Sequence, residues 1–147
     1  MEKPYQGQCL CRAVTFSLQP PLPHLYQCHC SMCRKLSGSS SDTAMFIDKA
    51  QFAWIKGQHN IGSYQTDSGY RSDFCQCCGS TLPHAMQNGR QMWVPAGLLP
   101  GNIPSQVKAH LFVDSKAHWD PLLNEQESLC HPTMPPMEEL DKLLQGE

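Results

Sequence analysis

Cys28-His29-Cys30-Ser31-Met32-Cys33 sets three cysteines within six residues, followed by Arg34 and Lys35 and, after Leu36 and Ser37, by Gly38. Sulfurs this closely spaced suit a soft divalent metal in tetrahedral geometry, and a trio without an adjoining fourth cysteine leaves one position to be filled from elsewhere. A disulfide framework is the competing reading for a chain with nine cysteines. The Cys-x-Cys and Cys-x-x-Cys spacings are too short to staple distant segments within a cluster, and the count is odd. Met1-Glu2-Lys3-Pro4-Tyr5 also has neither the basic start nor the apolar run of a secretory leader. Metal ligation in a reducing compartment, the cytoplasm, is therefore the expectation.

Two further clusters lie outward of the trio. Cys9-Leu10-Cys11 follows Gly7, and Cys75-Gln76-Cys77-Cys78-Gly79 ends an extended stretch. One pair from each makes a closed four-sulfur site, and metal binding at such a site contributes directly to folding. Cys75 could pair with Cys77 or Cys78. Gly79 favours Cys78, because a Cys-x-x-Cys-Gly knuckle needs a residue that tolerates positive φ after its second ligand. The expected structural set is Cys9, Cys11, Cys75 and Cys78, with Cys77 a spare thiol. The trio could be completed by Cys77, Cys130, His29 or His131, or left open to water or an exogenous thiol.

The rest of the composition makes metal more than an ornament. Leu, Ile, Val and Phe total 28 of 147 residues, a lean supply for a core, yet the net charge of −2 is too small to expand the chain. With 11 basic against 13 acidic residues there is no basic excess, so nucleic acid is not an expected partner. No apolar run approaches the ~18 residues that cross a bilayer, so none is expected at a membrane.

The patterning is that of short strands. Ala13 to Leu18 alternates, with Val14, Phe16 and Leu18 on one face and Thr15 and Ser17 on the other. His24 to Gln27 leads as an extended segment into the trio, and Ser31 to Leu36 reads as a short helical turn stopped by Gly38. Strands are expected at 43–47, 52–56, 61–65, 70–74, 92–96 and 107–113, separated by Asp, Gly, Asn or Ser turns. The last would place Val107, Ala109, Leu111 and Val113 on one side. Pro136 opens a C-terminal helix in which Met137, Leu140 and Leu144 share a face. One domain spanning residues 1–147 is expected, its core about 5–120 and 121–147 an extension.

Together, Gly7-x-Cys9-x-Cys11 with Val14 and Phe16, Cys28-His29-Cys30-x-x-Cys33-Arg34 with Gly38, Phe74-Cys75-x-x-Cys78-Gly79-Ser80, and His110-x-Phe112-Val113 leading to Lys116-Ala117-x-Trp119 resemble the glutathione-dependent formaldehyde-activating enzyme family, which includes a centromere protein. The resemblance implies a mainly β, Mss4-like fold of several antiparallel sheets stabilised by zinc, with short helical turns. It implies two zinc ions per chain, a structural one on Cys9, Cys11, Cys75 and Cys78 and a catalytic one on Cys28, Cys30 and Cys33. The activity it implies is that of a carbon-sulfur lyase, adding a thiol such as glutathione to formaldehyde. A zinc-stabilised binding module with a protein partner is the alternative.

Among other residues, His29 is expected to turn its ring away from the metal, as side chains alternate along an extended segment, with a hydrogen-bond partner or proton shuttle as the other role open to it. His84, His110 and His118 read as satisfied or solvent-facing strand histidines. Arg34, Lys35 and Arg71 could meet substrate carboxylates but read first as surface charge. Trp54, Trp93 and Trp119 read as core fillers.

Overall fold

The computed structural model describes residues 2–121 and 124–146. Parts of the expected domain at 1, 122, 123 and 147 therefore lie outside the described residues. In chain order the elements are β1 (Tyr5–Gln8), β2 (Thr15–Leu18), β3 (Leu25–Cys28), α1 (Ser31–Ser37), β4 (Asp42–Asp48), β5 (Phe52–Lys56), β6 (Ile61–Gln65), β7 (Arg71–Cys75), β8 (Thr81–Leu82), β9 (His84–Ala85), β10 (Gln91–Pro95), β11 (Val107–Leu111) and α2 (Met137–Gln145). The chain is mainly β, with several antiparallel sheets. It divides into two compact units, one of residues 1–22 and 46–104 and one of residues 23–45 and 105–147.

The first unit contains two three-stranded antiparallel sheets, in the orders β1-β2-β5 and β6-β7-β8, and a short antiparallel pair of β9 with β10. Val14, Phe16 and Leu18 are fully buried, as the alternation predicts. Thr15, expected on the polar face, is buried too, so β2 is covered on both sides. Phe16 stacks on Phe52 with ring centroids 5.4 Å apart and meets Trp54 edge-on at 6.1 Å. β1 is the strand the alternation did not predict, since Tyr5-Gln6-Gly7-Gln8 has no apolar periodicity. Gly7 pairs with Phe16, and a Cβ on Gly7 would stand 2.2 Å from that ring, so the missing side chain makes room for an aromatic one.

In the second unit β3 lies between β11 and β4. β3 and β4 are antiparallel, with Cys28 opposite Asp42, whereas β11 runs parallel to β3, with Leu111 beside Cys28. This parallel pair adds to the expected antiparallel sheets a pairing that the sequence did not announce. The expected strand 107–113 also ends early. Phe112 takes a left-handed backbone at φ 56°, which turns Val113 off the strand face and into a short 3-10 turn. The ladder shifts register between Val107 and Ala109, so only Ala109, His110 and Leu111 are buried.

α1 runs through Ser37, longer than the single turn expected. Cys30 is its N-cap, accepting from the Cys33 N–H, and Gly38 closes it at φ 64° by donating to the Arg34 carbonyl. α2 packs on β11 and buries Leu140 and Leu144, while Met137 is 41% exposed and leaves the expected apolar face. The His24 N–H donates to the Leu144 carbonyl at 2.7 Å, fastening the last turn of α2 to the chain just before β3. Leu140→Ala is expected to cost about 2–5 kcal/mol, measured by urea denaturation, because Leu140 is 1% exposed on a helix that packs on β11. No described helix is long and apolar enough to cross a membrane.

Candidate metal centres

Cys9, Cys11, Cys75 and Cys78 converge, their four Sγ atoms all within 4.8 Å of one another. Cys11 Sγ lies 3.7 Å from Cys9 Sγ and 3.8 Å from Cys75 Sγ. Four sulfurs each 2.3 Å from one tetrahedral ion stand about 3.8 Å apart, so the tetrad has the span that zinc demands and is far wider than any disulfide. All nine cysteines are thiols.

Two turns shape this tetrad. In the first, the Arg12 N–H donates to the Cys9 carbonyl at 3.1 Å, Arg12 takes φ 67°, and the Val14 N–H reaches Cys9 Sγ at 3.3 Å. In the second, the Gly79 N–H donates to the Cys75 carbonyl at 2.7 Å and Gly79 takes φ 82°, the backbone its sequence position predicts. Cys77 is exposed and stands outside the four. Burial alone would raise the Cys75 thiol, but the Cys78 and Cys77 backbone N–H groups outweigh it and hold it below its ordinary value. Ser80, through its side chain and backbone, helps pull the Cys78 thiol down to about 5. Its hydroxyl lies 3.2 Å from Cys78 Sγ and accepts from the Leu10 N–H at 3.0 Å, so one serine ties the two turns together. Ser80 sits in the Cys-x-x-Cys-Gly-Ser run, and that motif was the only signal of its role. Donors aimed at sulfur favour thiolate, the form that binds metal.

Cys28, Cys30 and Cys33 converge separately, with Sγ atoms all within 4.8 Å. β3 delivers Cys28, the β3–α1 junction Cys30, and the first turn of α1 Cys33. The Cys33 N–H donates to Cys30 Sγ at 3.3 Å, and the Arg34 N–H to the Cys30 carbonyl at 3.0 Å. A helix N-terminus favours a thiolate at this position. Burial nevertheless raises the Cys30 thiol, with the Cys33 N–H working against it. Among the described residues no fourth His, Cys, Asp or Glu donor joins the trio within 4.8 Å. Three soft donors at this span suit zinc. Opposite Cys28, the Asp42 carboxyl is pushed up to about 6 by burial.

Beside the trio lies a feature the sequence did not disclose. His29 Nε2 is 3.1 Å from His110 Nδ1, the two rings are each 1% exposed, and their centroids are 5.3 Å apart. Asp120 Oδ2 stands 3.8 Å from His29 Nδ1, beyond hydrogen-bond distance but close enough to set the local potential. Burial holds both imidazoles below their ordinary range. His110 is thus neither solvent-facing nor fully satisfied, since its Nε2 is buried without a hydrogen-bond partner.

The other singled-out residues scatter. Arg71 closes a two-pronged ion pair on Asp73, at 2.8 and 3.0 Å, and is a structural arginine. Lys35 is exposed, and Arg34 is half-buried with its Nε shielded and unpartnered. Trp54 and Trp93 are half-buried, but Trp119 is 69% exposed and is not a core filler. Cys130 and His131 stand beside His110 and outside the trio: Cys130 bridges to His110, and the His131 N–H donates to the His110 carbonyl at 2.8 Å.

Fold and site together define a mainly β protein with two cysteine centres, one of four thiols and one of three. Comparison with known proteins places it further. The family model of the glutathione-dependent formaldehyde-activating enzyme matches residues 4–115, and the chain belongs to that family. It is 31% identical over 113 residues to an uncharacterised lyase of Schizosaccharomyces pombe, covering 76% of this chain and 80% of that one. It is 26% identical over 134 residues to a Halomonas elongata protein named "Putative glutathione-dependent formaldehyde-activating enzyme", covering 85% of each. Its fold resembles the crystal structure of a Rhodobacter sphaeroides protein, with a TM-score of 0.55 at 22% identity, over 69% of this chain and 98% of that one.

Proposed function

We propose that the chain is a zinc-dependent carbon-sulfur lyase of the cytoplasm that adds a glutathione-like thiol to formaldehyde, or to a closely related small aldehyde, and runs the reverse cleavage. The observation that carries this reading is the convergence of Cys28, Cys30 and Cys33 in a chain of this family. Zinc held by these three would lower the pKa of an approaching thiol while leaving its sulfur strongly nucleophilic, because three thiolates give the centre a net charge of about −1 and blunt it as a Lewis acid.

In the reaction the thiol sulfur forms a bond to the aldehyde carbon, the carbonyl π pair moves to oxygen, and the thiol proton ends on the new hydroxyl. The chain's own residues set the stage for this. The start of α1 supplies the Cys33 N–H that steadies Cys30, and Arg34 and Lys35 place positive charge next to the trio, where a substrate carrying carboxylates gains from it. Cys9, Cys11, Cys75 and Cys78 would hold the second zinc, which supports the fold and takes no part in the chemistry. Residues 5–120 form the core on this reading, and 121–147 an extension.

Formaldehyde-dependent formation of the glutathione adduct, followed by NMR, tests the proposal. Cys30→Ser is expected to lose at least about a hundredfold in rate, since losing a ligand exceeds the 10–100-fold typical of losing a residue behind one. Equal rates above the uncatalysed background for the two proteins would sink the reading.

A further inference from the structure

We infer that Asp120, His29 and His110 form a positioning chain that holds the Cys28-His29-Cys30 backbone in shape for metal capture, and that residues beyond 115 complete it. The inference rests on the reading of the trio as a metal site. His29 stands between two of the proposed ligands, so any rotation of its backbone moves both sulfurs. That backbone is fixed on one side by the His29 N–H, which donates to the Leu111 carbonyl at 2.9 Å. Its ring is fixed by His110 at 3.1 Å.

The direction of that ring–ring bond follows from what faces the other nitrogen. His29 Nδ1 is buried without a hydrogen-bond partner, and the Asp120 carboxylate stands 3.8 Å from it. That carboxylate favours a proton on Nδ1. The 3.1 Å ring–ring contact needs one bare nitrogen, and with the His29 proton on Nδ1 that nitrogen is His29 Nε2, so His110 donates from Nδ1 and its own Nε2 is left unprotonated. The opposite arrangement would aim a lone pair at a carboxylate. This order of carboxylate, imidazole and imidazole gives His29 one orientation in place of two.

His110 is itself held from the far side. The His131 N–H donates to its carbonyl at 2.8 Å, Cys130 bridges alongside, and the Val113 and Asp114 N–H groups donate to the His131 and Pro132 carbonyls at 3.1 and 3.3 Å. Asp120, Cys130, His131 and Pro132 all lie past the residues matched by the family model. The extension therefore braces β11 and, through His110, the trio.

The test uses the full chain loaded with zinc and titrated with a chromophoric chelator, the step missing in Cys30→Ser being that of the trio. His110→Ala and Asp120→Ala are expected to weaken zinc at this step, His110→Ala by about 10–100-fold, while the tetrad's step stays where it was. His110→Asn, which keeps an N–H donor at the Nδ1 position, is expected to recover most of the loss. Nitrogen-15 NMR of the wild-type chain is expected to find both His29 and His110 protonated at Nδ1. Unchanged zinc affinity at the trio in His110→Ala, an equal fall at both sites, or a proton on His110 Nε2 would each overturn the positioning chain. A wild-type chain from which Cys30→Ser removes no zinc step overturns the metal reading of the trio, a distinct result, and this inference with it.

Discussion

Cys75→Ser is expected to abolish the cooperative unfolding transition of the unit formed by residues 1–22 and 46–104, and an excess of a strong chelator is expected to do the same to the wild-type chain. Cys75 is fully buried, among the described residues in a small cluster with Cys9, Val14 and Leu82, flanked by half-buried Ala13, Trp54, Ile61, Cys78 and Leu98. Two of the four central members are proposed ligands, so a bound metal would occupy the place where a larger domain keeps leucine and isoleucine. Structural zinc contributes roughly 10–16 kcal/mol, whereas a whole domain is stable by about 5–15 kcal/mol. Removing such an ion would therefore remove the margin. A serine hydroxyl is a poor replacement for a buried thiolate ligand, and the closed four-sulfur set is broken. Circular dichroism and tryptophan fluorescence during a thermal scan measure the outcome. Cys77→Ser is the control, since Cys77 is exposed and outside the tetrad, and it should melt with the wild type. If Cys75→Ser also melted within a few degrees of the wild type, the tetrad would be no keystone.

Gly57→Ala is expected to be the most damaging change at a position bearing no cysteine, with a loss above about 4 kcal/mol, the range reserved for steric and strained-backbone failures. Gly57 takes φ 89°, and a Cβ there would lie 1.9 Å from the Ala13 carbonyl oxygen and 2.8 Å from Val14 Cα. The obstacle is backbone, which cannot swing aside as a side chain does. It is also the backbone that enters β2 and carries the Val14 N–H to Cys9 Sγ, so relief of the clash would pull on the tetrad. Gly38→Ala separates the two contributions. Gly38 is left-handed at φ 64° but a Cβ there meets nothing within 4 Å, so it should lose only about 1–2 kcal/mol, the cost of the conformation alone. Urea midpoints of the two variants give the comparison, and similar losses would show that close approach to Ala13 is not what reserves position 57 for glycine.

The sequence is most legible where chemistry and backbone share one local signal. Cys-x-x-Cys-Gly announces both a ligand pair and a positive φ, and Gly79 has it. Apolar alternation at Val14, Phe16 and Leu18 marks a strand because the face it buries is written every second residue. Strands at Phe52–Lys56 and Ile61–Gln65 fall where their flanking turn residues put them. What was not legible depends on partners far along the chain. The Tyr5–Gln8 strand has no apolar signature of its own and is defined by Phe16. The parallel pairing of Val107–Leu111 with Leu25–Cys28 depends on orientation in space, which periodicity does not encode, and the His29–His110 bond joins residues 81 apart. Trp119 misled because size alone suggests burial, whereas the indole stands in solvent beside the Asp120 that faces His29.

The parallel strand pair also bears on how the protein is made. Parallel neighbours cannot be joined by a tight hairpin, so Leu25–Cys28 must wait for Val107–Leu111 before its second edge is covered. On a ribosome adding about 5–20 residues per second, that delay lasts roughly 4–16 s. Throughout it the trio has been synthesised, but His110 and the segment beyond it have not. The three cysteines therefore emerge well before the strand and the histidine that flank them, and their surroundings are completed last, from the C-terminal side.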